Sequence, residues 1–132
     1  MQRVQALSGD SEMKISPTQR TLKLLRERGY LCAVVERFVR FPFPGHRVDL
    51  WGIGDILAVK PGETLLVQCT TTGVAERVTK IVANPNTIKL LAVPWRIAVW
   101  GWRKVGPRGK RKTWECREVP LTAGDFDQEI PT

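Results

Sequence analysis

The stretch Arg47-Val-Asp-Leu-Trp-Gly-Ile-Gly-Asp-Ile-Leu-Ala-Val59, followed across a Pro61-Gly62 turn by Leu65-Leu-Val-Gln-Cys-Thr70, decides how the chain is read. Asp55 opens one short apolar run, and the polar pair Gln68 and Thr70 closes the next. Two apolar runs joined by so short a turn predict an antiparallel hairpin, residues 54–60 with residues 64–70. Asp55 and Gln68 then sit on adjacent strands, where both side chains could face one metal ion. Both strands are apolar on both faces, as expected when helices cover a sheet from each side.

The pattern changes on either side of the hairpin. Upstream, Ser16-Pro17 reads as an N-cap followed by Pro at the first helical position, Leu22, Leu24 and Leu25 supply an apolar side, and Gly29 stops the helix. Residues 31–39 read as a first strand, broken by Phe41-Pro-Phe-Pro-Gly45 into an irregular loop. Downstream, Val74, Val78, Ile81 and Val82 fall on one helical stripe that Asn84-Pro85 ends, with a further short helix over residues 86–92. Residues 96–105 form a long strand with Ile97 and Val99 on one face and Ala98, Trp100 and Trp102 on the other. A basic turn, residues 106–112, leads to a last strand over residues 113–119. The order α-β-β-β-α-(α)-β-β predicts an α/β fold, one mixed central sheet flanked by helices.

With 132 residues, 42% hydrophobic and 26% charged, the chain suits a single globular domain. Residues 1–15 read as a loose arm and the acidic stretch 120–132 as a weakly ordered tail. No apolar run approaches the roughly 20 residues that cross a bilayer, and residues 1–5 lack a signal-peptide h-region. Cys32, Cys69 and Cys116 are odd in number and far apart, which fits buried thiols in a reducing cytoplasm better than a zinc site. The net charge is +8, and residues 96–119 hold eight Lys or Arg against two Glu. A basic surface of this kind favours nucleic acid over an anionic membrane.

Hydrolysing a phosphodiester calls for a hard cation that activates water, and Mg²⁺ is bound by oxygen ligands, of which Asp55 offers a carboxylate at the start of an apolar strand. The order of apolar strand, Asp55, hairpin and Gln68-Cys69-Thr70 resembles the PD-(D/E)XK nuclease superfamily, most closely its small Holliday-junction-resolvase-like and phage-encoded members. The resemblance spans roughly residues 16–105 and implies a restriction-endonuclease-like core of αβββαβ order plus a C-terminal strand. It implies a metal-dependent endonuclease acting on DNA, with branched or junction DNA as one candidate substrate, Mg²⁺ or Mn²⁺ as cofactor, and a symmetric homodimer. It also implies a cytoplasmic setting in a bacterium or phage-infected host.

On that resemblance, Asp55 takes the Asp position, Gln68 the acid position and Thr70 the Lys position. Gln68 offers a carbonyl oxygen without charge, and Thr70 offers no cation. The missing cation is sought on the next helix, where Arg77 and Lys80 lie three residues apart on one face; pairing with Glu76 is the alternative. Asp49 and, after it, Glu36 are candidates to complete the metal site, and His46 is a candidate general base. Arg108, Lys110, Arg111 and Lys112 are expected to neutralise phosphates without reading sequence, and Arg77 to join them. Trp51 is the candidate aromatic contact. A nucleic-acid-binding protein that kept the fold and lost the chemistry is the competing reading, with a basic accessory protein of a nucleoprotein assembly a third.

Overall fold

A computed structural model describes residues 15–122. Helix α1 (Pro17–Glu27) opens on Ser16, whose side chain accepts from the Gln19 N–H while the Gln19 side chain accepts from the Ser16 N–H. This reciprocal pair satisfies two of the donors a helix start leaves orphaned. Five strands form the main sheet in the order β1-β4-β5-β6-β7: β1 (Leu31–Val34), β4 (Ile56–Lys60), β5 (Glu63–Thr70), β6 (Arg96–Val105) and β7 (Thr113–Leu121). All pairings are antiparallel except β5 with β6, which are parallel. That parallel pair is joined by a crossover of two helices, α2 (Val74–Ala83) and α3 (Pro85–Ala92).

Strand alternation sends the two faces of the sheet into two cores. Leu65, Val67 and Cys69 of β5, with Ala98, Trp100 and Trp102 of β6, pack under Leu24 and Leu25 of α1. Trp102 Nε1 donates to Thr21 Oγ1 at 2.9 Å, so the buried indole also pins α1 by a hydrogen bond. Leu66, Ile97 and Val99 face the other way, against Ile81 and Leu90 of the crossover helices. Val74, Val78 and Val82 join that second core, so the helical stripe does face the sheet.

The structure departs from the sequence reading in the first half of the chain. The strand expected over residues 31–39 is two strands. β1 ends at Val34, the chain leaves the sheet at Val35-Glu36, and β2 (Arg37–Val39) pairs instead with β3 (His46–Val48) in a separate hairpin. The expected irregular loop therefore contains a strand, and the charged Glu36 marks the break. The Val35 N–H still donates to the Asp55 carbonyl at 2.9 Å, and Glu36 beyond it pairs with Arg47 of β3. At the other end, Pro120 and Leu121 belong to β7 and Leu121 is buried, so the loose tail does not begin at residue 120. The rest of that tail, residues 123–132, and residues 1–14 of the N-terminal arm lie outside the described residues. Cys69 is buried, Cys32 and Cys116 are half-buried, and all three are free. Among the described residues no helix is long and apolar enough to cross a membrane.

Gly54 lies immediately before Asp55, and its α-carbon faces β5. A Cβ there would stand 2.5 Å from Leu66 Cγ and 3.0 Å from the Val67 carbonyl. Gly54→Ala is expected to cost about 1–3 kcal/mol through overpacking against Leu66 and backbone that cannot yield. Urea unfolding checks this; a loss below about 0.5 kcal/mol, the level of an ordinary surface change, would show that the strand start is free to move.

Candidate metal centre

Three pairings carry one set of polar residues to the same end of the sheet. β2 and β3 pair Arg37 with Val48, which sets Glu36 opposite Asp49 one step further on. An isolated bridge between Leu50 and Gly54 closes the next loop and sets Asp49 opposite Asp55 in turn. The loop is held by Gly52 N–H donating to the Asp49 carbonyl and Ile53 N–H donating to the Leu50 carbonyl. β4 and β5 pair Ile56 with Val67, which brings Asp55 beside Gln68. Ligand oxygens of Glu36, Asp49 and Asp55 consequently lie within 4.8 Å of one another.

Each group has distinct partners. Asp55 is 6% exposed, and its Oδ1 accepts from the Cys69 N–H at 3.1 Å. Burial raises its pKa to about 6, helped by the nearby negative charges of Asp49 and Glu36, while hydrogen bonds from Cys69 pull the other way. Glu36 Oε1 accepts from Arg47 Nη1 at 2.9 Å. Gln68 Nε2 donates to Asp49 Oδ2 at 2.6 Å and to the Ile53 carbonyl at 2.9 Å, and Gln68 Oε1 accepts from Arg77 Nη1 at 2.7 Å. The Gln68 amide thus presents its NH₂ to the acids and its carbonyl to Arg77. Direct ligation of a cation through that carbonyl requires the amide to turn around and give up these bonds.

Thr70 is buried one position beyond Cys69, on the same face as Gln68, but its hydroxyl donates to the Thr72 carbonyl and accepts from the Thr72 N–H at 3.1 Å. That side chain shapes the turn into α2 instead of facing the acids. Of the two cations sought on α2, Arg77 reaches the site through Gln68. Among the described residues Lys80 is exposed and makes no hydrogen bond or ion pair with the cluster.

Trp51 is 48% exposed, held with positive φ at the tip of the Leu50–Gly54 loop. Its ring tilts against Trp95 with centroids 5.6 Å apart, and Asn84 Nδ2 donates to its carbonyl at 2.9 Å. It lies on the α2–α3 side of the loop, so one face is already occupied by protein. Arg108, Lys110, Arg111 and Lys112 are all exposed in the β6–β7 turn. The parallel register pairs Thr70 with Gly101, so β6 runs on past the cluster end of β5 before turning. At about 3.3 Å per residue the four residues from Gly101 to Val105 carry the basic turn some 13 Å beyond that end. His46 is exposed in β3, within the separate hairpin.

No protein-family model, curated protein or solved structure matches the chain.

The donor set suits a hard cation. Oxygens sharing an octahedral Mg²⁺ at about 2.1 Å stand about 3.0 Å apart when adjacent and about 4.2 Å apart when opposite, so the three carboxylates would draw together to hold one ion. Three acids this close, one of them buried, also repel each other strongly enough to help raise the Asp55 pKa, which is the electrostatic condition a cation relieves.

Proposed function

We propose that this chain is a metal-dependent nuclease that hydrolyses phosphodiester bonds in DNA, built on a restriction-endonuclease-like core. The observation that carries the reading is the convergence of Glu36, Asp49 and Asp55, from three separate segments, at the sheet end from which the basic β6–β7 turn projects. The element order supports it too: α1, the meander β1-β4-β5, a helical crossover and parallel β6 follow the order the PD-(D/E)XK resemblance implies.

Asp55, Asp49 and Glu36 would hold Mg²⁺ or Mn²⁺, which when bound lowers the pKa of water and offsets charge on the phosphate. Asp55 is fixed by the Cys69 N–H, so one carboxylate is preorganised by the sheet itself. Arg77 takes the place that Thr70 cannot fill, a cation on the rim that pairs with a phosphate oxygen and is oriented by Gln68. Arg108 to Lys112 bind the flanking backbone by charge alone. Three free cysteines accord with a reducing, cytoplasmic setting.

One observation favours a second reading, a DNA-binding protein without chemistry: the Gln68 NH₂ donates to Asp49 and so satisfies part of the acid cluster without a metal. Cleavage of linear duplex, single-stranded and four-way-junction DNA, with Mg²⁺ or Mn²⁺, separates the two. The wild type should cleave at least one substrate and Asp55→Ala should lose at least a hundredfold, as a charge-stabilising group does. Intact, salt-sensitive DNA binding with no cleavage of any substrate would leave the binding reading alone standing.

A further inference from the structure

The β2–β3 hairpin packs into neither core: no residue from Arg37 to Val48 belongs to the cluster beneath α1 or to the one beneath α2 and α3. Yet it holds Phe38, Phe41 and Phe43, and the last two are 78% and 90% exposed. The Phe38 ring lies over Gly45, where a Cβ would stand 2.3 Å from it, and so braces the turn. Phe41, Pro42, Phe43 and Pro44 make an exposed tip of four successive apolar residues. That tip is poor in backbone donors. Pro42 and Pro44 carry no N–H, and the Gly45 N–H is spent on the Pro42 carbonyl at 2.8 Å.

Behind the tip the hairpin is basic. From Arg37 to Val48 it carries Arg37, Arg40, His46 and Arg47 and no acid. The register sets Phe38 opposite Arg47 and Arg37 opposite Val48, so Arg37 and Arg47 lie on opposite faces. Arg47 pairs with Glu36, which leaves Arg37 and Arg40 as the main source of uncompensated charge.

We propose that this hairpin is a membrane-contact element that enters an anionic lipid surface tip first, with Phe41 to Pro44 below the headgroups and the arginines among them. The proposal stands apart from the nuclease reading, since it needs neither the acid cluster nor a metal. One apolar insertion holds a protein on a bilayer only marginally, and an insertion joined to a basic cluster holds it well. Hydrocarbon covers all four tip residues and penalises backbone donors left without acceptors, of which the two prolines leave few. A stacked base would cover one face of a ring and leave the prolines in water. A second copy of the chain would bring the same arginines, on a body of the same +8 charge, against these.

The test is flotation of the full chain with vesicles of phosphatidylcholine alone and of equimolar phosphatidylcholine and phosphatidylserine. The wild type should float with the mixed vesicles. Phe41→Ala/Phe43→Ala should weaken that binding by roughly tenfold or more for each ring. Phe41→Trp/Phe43→Trp should keep it, with indole fluorescence shifting to the blue as the tip leaves water. Arg37→Ser/Arg40→Ser should cost about fivefold for each charge on the mixed vesicles and nothing on phosphatidylcholine alone. All four positions are exposed, and thermal melts matching the wild type would confirm that the variants fold. A wild type that fails to float overturns the proposal. So does an Ala pair that floats as well as wild type, which would assign the binding to charge elsewhere on the surface. Loss of single-stranded DNA binding or of a solution dimer in the Ala pair, with flotation unchanged, overturns it in favour of nucleic acid or a second copy.

Discussion

Asp55→Asn is expected to raise the melting temperature of the metal-free protein at pH 8 by about 5–10 °C and, on the nuclease reading proposed above, to abolish both a response to Mg²⁺ and DNA cleavage. The reason is linkage. Asp55 has a folded-state pKa near 6, raised from 3.8 chiefly by burial. Below pH 4 the carboxyl is protonated in both folded and unfolded chains and costs nothing. Between pH 4 and 6 the folded chain binds the proton more tightly, so stability falls as pH rises through that window. Above pH 6 the full penalty is present, about two pKa units or on the order of 3 kcal/mol. Asn keeps an oxygen for the Cys69 N–H and removes the charge, so its advantage should appear at pH 8 and vanish at pH 4.

Divalent metal should reverse the order at pH 8. A ligand that binds only the folded state stabilises by about 4.1 kcal/mol at a thousandfold excess over its dissociation constant, more than the roughly 3 kcal/mol advantage of Asn, and the variant has lost the charge that holds it. Thermal melts of both proteins at pH 4 and pH 8, with EDTA or MgCl₂, contain the whole test. If Asp55→Asn is destabilising in EDTA at pH 8 and MgCl₂ leaves the wild type unmoved, Asp55 is a structural strand-start carboxylate and the acid cluster holds no metal.

The second large effect concerns the β6–β7 turn. Replacing Arg108, Lys110, Arg111 and Lys112 together by Ser is expected to lower DNA affinity by roughly 10²–10³-fold near 0.1 M salt. The slope of log K against log salt should flatten by about 3 to 4, close to 0.9 for each phosphate that is no longer neutralised. The substitutions lie on an exposed turn beyond the sheet, so folding should be unaffected. Titrations of one duplex at several salt concentrations measure both quantities. An unchanged slope would move phosphate binding elsewhere, to Arg37 and Arg40 or to Arg77, and detach the basic turn from the cluster end of the sheet.

Much of this architecture is legible in local signals. Ser16-Pro17 with Gln19, the Val74-Val78-Ile81-Val82 stripe and Asn84-Pro85 mark helix ends and helix faces within a few residues of themselves. The opposed faces of β6, with Trp100 and Trp102 toward α1 and Ile97 and Val99 toward α2 and α3, follow from period-two alternation alone. The neighbouring positions of Asp55 and Gln68 follow from one tight turn. The break after β1 had only a weak signal, the lone Glu36 in an apolar run, and β3 had none. His46 to Val48 are three residues with no apolar alternation to announce a strand.

By itself, then, the sequence determined the order of the elements, the faces they bury, and the presence of a basic turn and an aspartate beside a polar strand end. Each depends on residues close in the chain, where caps, periodicity and turn chemistry act. Only the tertiary structure decided that Glu36 and Asp49 join Asp55, that Arg77 and not Lys80 reaches the site, and that the Thr70 hydroxyl is spent on Thr72. Those outcomes hang on where the chain leaves the sheet at Val35 and on three successive registers, β2 with β3, Leu50 with Gly54 and β4 with β5. A one-residue slip in any of them would turn a carboxylate to the opposite face; burial in the two cores fixes the register of β4 with β5, whereas β2 and β3 lie mostly exposed outside both cores.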